Sequence, residues 1–244
     1  MSHTEDQSWW RREGSPDKGF RYLSVRGKPL RSATALARIE AMAIPPAWED
    51  VHISPFGDRP IQAWGYDAAG RRQYIYSGAH RAERDRHKWD RLIELARLLP
   101  RLRDVTNRDL KRKQLDRRKV AATVLRLMTR GFFRVGGERY AEENNSYGIV
   151  TLEKRHLSVE GNDLIFDYKG KRQVEQRRVV AETPLVEIIR ELLELPGGRL
   201  FQYRGAEGGV SVITSRDVNE YLQEILGDRF SSKDLRTFGG TVRA

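Results

Sequence analysis

Three cations stand where the surrounding sequence restrains them. Arg134 lies in "RGFFRVGGERY", between an apolar helical stretch and a Gly pair; Lys171 lies at the tip of "DYKGKRQ"; Arg236 lies in "KDLRTFG". Two guanidinium groups and an ammonium are residue types that hold anions, and the guanidinium does so through a planar fork of permanently charged donors. Taken singly, each has an ordinary explanation. An Arg after a helix complements the helix dipole, and a Lys in a tight hairpin is turn chemistry. Only as a set do they point to chemistry.

The composition restricts what that set can act on. With 45 Lys and Arg against 34 Asp and Glu, the 244-residue chain carries a formal charge of +11. Such a surplus concentrates anions at the surface, and the commonest large polyanion in a cell is nucleic acid. The chain has no Cys, which excludes a disulfide framework, a Cys-based zinc site and a thiol nucleophile. Its five His, at 3, 52, 80, 87 and 156, lack metal-ligand spacing, so no metal site is expected. There is no GxxxxGK[ST] phosphate loop. Without an apolar leader or a run of membrane-spanning length, the expectation is a cytoplasmic, nucleoid-associated protein of bacterial style with no membrane partner.

The elements that must carry the cations follow from periodicity. Residues 1–19 are polar with Gly and Pro and read as a flexible lead-in. In 20–81, a hairpin around Arg26-Gly27-Lys28 is expected, then a helix over "SATALARIEAMAI" capped by Ser32 or Thr34 and stopped by Pro45 and Pro46. Antiparallel strands follow in "VHISPFGDRPIQAWGYDAAGRRQYIYS". From 82 to 244 the period is mainly helical. Trp89, Leu92, Ile93, Ala96 and Leu99 share one face of a helix that Pro100 ends or kinks, and Val120, Val124, Leu127 and Met128 share a face of the next. A β insertion follows, with strands near 148–153, 155–159, 163–168 and 172–180, and then helices over "TPLVEIIRELLEL" and "TSRDVNEYLQEIL". The class is α+β: a small β-rich N-terminal domain and a mainly α-helical domain with an inserted antiparallel sheet.

Five segments, "IPPAW", "QAWGYDAAGRRQYIY", "FFRVGGERYAEENNSYGIVTL", "YKGK" and "KDLRTFGGT", stand in an order and spacing that resemble the small, poxvirus-like type IB DNA topoisomerases. The resemblance runs from about Phe20 to the last residue. It implies a C-shaped clamp around duplex DNA, acting as a monomer without metal, ATP or other cofactor. It matches Arg134, Lys171 and Arg236 to the family's catalytic cations. A tyrosine attacks a phosphodiester, leaving a 3′-phosphotyrosyl bond and a free 5′ hydroxyl. Guanidinium pairs suit the charge that gathers on the non-bridging oxygens, and a hairpin Lys can protonate the leaving oxygen.

The resemblance also implies DNA-binding roles. Tyr74 and Tyr76 alternate on a strand, so they share a face, and Arg71, Arg72 and Gln73 accompany them. That face is expected in the major groove, although the same spacing suits the core side of a strand. Tyr140 matches a phosphate-contacting tyrosine, and Lys233 precedes Arg236 by one helical turn. The family's nucleophilic Tyr and its His or Asn lie beyond the "KDLRTFG" box. Only eight residues follow Arg236, none of them Tyr or His. The catalytic domain is thus expected to be incomplete at its C-terminus, with no nucleophile, so that the chain binds duplex DNA without cleaving it. Two alternatives stand beside this: a non-catalytic DNA clamp, and a tyrosine recombinase fragment, against which the β-rich N-terminal unit argues.

Overall fold

In the computed structural model, which describes residues 8–242, the chain divides into two units, up to Trp89 and from Asp90. The first carries five antiparallel strands: β1 Trp10–Ser15, β2 Gly19–Leu23, β3 Glu49–Ile53, β4 Ile61–Tyr66 and β5 Arg72–Tyr76, in the order β2-β1-β3-β4-β5. Val51, Ile53 and Ala63 face inward and bury against Ile39 of helix α1, Ala33–Ala41. Ser32 starts that helix, its Oγ accepting the Ala35 N–H at 3.3 Å.

Two expectations for this unit are corrected. The supposed lead-in contains β1, which pairs with β2 on one side and β3 on the other; residues 1–7 lie outside the described residues. Its alternation was hidden because Arg12 occupies a packed position. The Arg12 guanidinium lies 4.2 Å over the Phe20 ring and donates to the Pro45 carbonyl at 3.1 Å, so its stem packs where an apolar residue would be expected. The turn at Gly27 does form, but it closes only a single bridge from Leu23 to Pro29.

The second unit is helical around an inserted sheet, as the α+β reading has it. Helix α2, Gly78–Leu110, begins in the first unit and continues into the second. It is followed by α3 Arg117–Gly131, α4 Glu138–Asn144, strands β6 Leu157–Glu160, β7 Asp163–Lys169 and β8 Glu175–Ala181, and α5 Thr183–Leu193. A short hairpin, β9 Gln202–Arg204 and β10 Val210–Val212, precedes α6 Ser215–Leu226 and α7 Ser232–Val242. Asp116 caps α3 by accepting the Lys119 N–H at 2.9 Å, and Val120, Val124, Leu127 and Met128 are all buried. Each such side chain contributes about 1.5–3 kcal/mol by leaving water, which makes α3 the axis of this core.

The face expected on α2 is rotated. Leu92, Leu95 and Leu102 point inward, while Trp89 and Ile93 are half exposed, and the helix runs on through Pro100. The inserted sheet has three strands in the order β6-β7-β8, not four. The stretch read as a strand over 148–153 holds instead a single tight helical turn, Ile149–Thr151, and a second turn follows at Lys154–His156.

Candidate functional site

Arg134 owes its place to the end of α3. Phe132 caps the helix in a left-handed conformation (φ 53°) and donates its N–H to the Met128 carbonyl, which reverses the chain. Phe133 then enters the core and Arg134 turns outward. The Arg134 and Val135 carbonyls accept the N–H groups of Ile149 and Val150 at 2.8 and 3.0 Å. That contact needs two glycines: a Cβ on Gly148 would lie 2.4 Å from the Gly136 Cα. The "VGG" and "SYG" pieces of one sequence segment are thereby locked backbone to backbone.

Lys171 sits in the loop between β7 and β8, closed by the Gly170 N–H donating to the Val174 carbonyl at 2.8 Å. Arg172 and Gln173 both hold positive φ, 64° and 61°, without being Gly. Each such residue costs about 1–2 kcal/mol, so the loop must be held from outside. It is: Ser146 Oγ donates to the Gly170 carbonyl at 2.8 Å, the Tyr147 N–H to Lys169 at 2.8 Å, and the Gln173 amide to Asn144.

Arg236 lies on α7, whose start is fixed by Ser231 donating its N–H and hydroxyl to Asp234 at 2.9 and 2.8 Å. Its guanidinium donates to the Phe132 carbonyl, tying α7 to the cap of α3. Gly239 permits that approach, since a Cβ there would overlap the Phe132 ring at 1.9 Å.

Arg134, Lys171 and Arg236 therefore reach one open cleft of about 410 Å³, from three separate elements. Tyr147, Tyr168, Gly170, Arg172, Val174 and Gln176 complete its wall, and no carboxylate is among the lining residues. Burial pushes the Arg236 guanidinium below its usual value, and the neighbouring charges of Arg134 and Arg178 push the same way. A cleft of this kind accommodates a tetrahedral oxyanion, which would relieve that repulsion. Tyr140 and Lys233 are exposed on α4 and α7 and do not line the cleft.

The residues read as a DNA face occupy β5 and the turn before it. Tyr74 and Tyr76 stack with ring centroids 6.1 Å apart, while Ile75 between them packs toward the core. The two tyrosines thus stand on the outer side of the strand, which removes the core-side alternative. Arg84 lies 5.1 Å over the Tyr76 ring. Asp67, which sequence reasoning passed over, organises the neighbours. Its carboxylate accepts from Arg71 Nε at 3.0 Å and Gln73 Nε2 at 2.9 Å, and also from the N–H groups of Ala69 and Arg71. The Arg71 guanidinium leads these bonds in pulling the Asp67 carboxyl down to about 2. The available signal was the Asp-x-x-Gly turn itself.

Comparison with known proteins covers both units. The family model described as the eukaryotic DNA topoisomerase I catalytic core matches residues 77–244, and that of the bacterial DNA topoisomerase IB N-terminal domain matches residues 19–67. The DNA topoisomerase 1B of Acanthamoeba polyphaga mimivirus is 32% identical over 235 residues, covering 95% of this chain and 70% of that protein. The DNA topoisomerase 1B of vaccinia virus (strain Copenhagen) is 27% identical over 180 residues, covering 72% of this chain and 53% of that protein. The chain thus spans about half the length of the vaccinia relative. Among solved structures, XerH site-specific recombinase in a post-cleavage complex with palindromic difH substrate is similar at a TM-score of 0.41 and 14% identity, over 58% of this chain and 39% of that one.

Proposed function

The chain belongs to the type IB DNA topoisomerases, and from that premise we propose that its cleft holds the scissile phosphate of duplex DNA during supercoil relaxation. One observation carries the reading. Three cations from three elements converge on a cleft with no carboxylate in its wall. Arg134 and Arg236 hold the non-bridging oxygens as charge gathers on them. A tyrosine oxygen bonds to phosphorus as its proton passes to solvent, the bond from phosphorus to the 5′ oxygen breaks, and Lys171 gives its proton to that oxygen and regains one from solvent. Reversal reseals the strand after swivelling, and because one phosphodiester is exchanged for another, no ATP is consumed. The chain works as a monomer in the cytoplasm, on the nucleoid, and clamps the duplex. Arg71, Gln73, Tyr74 and Tyr76 contact the major groove, while Tyr140 and Lys233 contact phosphates.

Neither tyrosine in the cleft wall suits attack. Burial pushes the Tyr168 phenol above its ordinary value, and the Tyr147 hydroxyl is engaged by Arg155 at 3.2 Å. The chain's other seven tyrosines, nine less these two, do not line the cleft, so the 244-residue polypeptide alone is expected to bind duplex DNA without cutting it. Duplex binding across a salt series, with a denaturing gel for covalent adducts, tests both halves. Affinity that falls steeply with salt and leaves no adduct is the expected result. Salt-independent binding would refute the phosphate reading, and an adduct would refute the statement about the wall.

A further inference from the structure

The cleft contains a fourth polar group that the three cations do not account for. Tyr168 of β7 lines it while only 9% exposed. Its ring stacks against Phe133, the residue before Arg134, at 6.1 Å and 18°. In the β7–β8 ladder Tyr168 stands opposite Gln176 and Phe166 opposite Arg178, so all four side chains share one face of the sheet.

Arg178 is unusual on that face. It donates to Gln176 Oε1 at 2.8 Å and its charge acts on the neighbouring Tyr168 phenol, while its Nε is buried without a partner. An isolated buried guanidinium edge is costly, so some gain elsewhere must retain it. A phenol has one proton to give. Because Tyr168 lines the cleft, that proton can reach an acceptor held inside it. Burial holds the phenol protonated even with Arg178, Arg236 and Arg134 nearby.

We propose that Tyr168 is a further phosphate-binding residue, donating its O–H to a non-bridging oxygen of the phosphate between Arg134 and Arg236, with Arg178 as the residue that positions it. This rests on the phosphate reading of the cleft given above. Tyr168 supplies a neutral hydrogen bond and no nucleophile. Its phenol bonds to the oxygen and leaves phosphorus to the attacking group.

The test is a titration of the 244-residue protein with inorganic phosphate, followed through the backbone amide signals of Gly170 and Lys171. Wild type is compared with Arg134→Ala, Tyr168→Phe, Arg178→Met and the double variant Tyr168→Phe/Arg178→Met. Tyr168→Phe removes one hydroxyl and keeps the ring, and should weaken phosphate about tenfold, the scale of one hydrogen bond to a charged oxygen. Arg178→Met should weaken it severalfold, and less than that in the Tyr168→Phe background, because part of its effect passes through the phenol. Full additivity would overturn the positioning role. If Arg134→Ala loses phosphate while Tyr168→Phe and Arg178→Met bind as wild type does, the inference fails and the cleft reading survives. If Arg134→Ala also binds normally, the cleft reading itself fails. Should Tyr168→Phe not fold, Arg178→Met decides between these outcomes.

Discussion

Two regions of the second unit use arginine in opposite ways. Along α3 and α6 the cations are matched: Arg117 with Asp217 and Glu220, Arg118 with Glu224 and the buried Asp109, Arg126 and Arg130 with Glu182, and the buried Lys119 with Glu191. In the cleft, Arg134 and Arg236 share a wall that holds no carboxylate, with Arg178 beside them. The matched flank holds helices together. The unmatched cleft carries repulsion that only a ligand removes, and the net charge of +11 is consistent with an anionic one.

Breaking the matched flank should have the largest effect on folding. Asp109 is buried and accepts the Tyr221 hydroxyl at 2.8 Å as well as pairing with Arg108 and Arg118. Burial, with Asp109 as the acceptor, pushes the Tyr221 phenol well above its ordinary value, so it stays protonated and needs that partner. Asp109→Ala leaves Tyr221 and Arg118 without it and should cost about 3 kcal/mol, read as a lowered urea midpoint at unchanged slope. A loss near zero would mean that the flank's pairing is ornamental.

The same operation in the cleft should give the reverse pattern. Arg236→Gln loses the bond to the Phe132 carbonyl but also removes one of the mutually repelling charges, so the two effects offset and stability should shift by no more than about 1 kcal/mol, well short of the Asp109 effect. Duplex affinity should fall, and the slope of log K against log salt should lose about 0.9, one phosphate contact. If Arg236→Gln instead unfolded the protein and left the salt slope unchanged, the cleft would be a second matched region in disguise.

The contrast also explains what the sequence made legible. The three cations sit in segments that could be read along the chain: Arg134 before a Gly pair, Lys171 beside a hairpin Gly, and Arg236 in "KDLRTFG". Tyr168 and Arg178 could not, because their meeting depends on the β7–β8 register and on a face that no local pattern marks. The helix axis α3 was plain because every periodic position is apolar. On α2 the apolar residues exceed one stripe, and packing selected Leu92, Leu95 and Leu102 over Trp89 and Ile93. β1 was invisible because Arg12 packs with its stem. The turns at 149–156 were misread because the approach of Gly136 to Gly148, twelve positions apart by their numbering, fixes them and β propensity does not.

The smallest effect concerns acid, and it separates the two regions by pH window. His156 Nδ1 accepts the Glu153 N–H at 3.0 Å, and its ring lies 4.4 Å from Tyr147 in the cleft wall. Burial, then the charge of Arg155, holds its pKa below the ordinary 6.5. The folded state therefore keeps His156 neutral where the unfolded chain takes a proton, so this stability is full above about 6.5 and is lost as pH falls from there toward the folded value. Asp217 on the matched flank has a lowered pKa as well. Its burial is outweighed by bonds from Thr214 and Arg117, so its contribution is lost only as pH falls below about 3.8. His156→Gln should flatten the decline in urea midpoint that begins as pH falls below about 6.5, by a few tenths of a kcal/mol, and leave the steeper loss below pH 4 intact. A decline in the upper window that survives in the variant would move the acid-sensitive group away from the cleft wall.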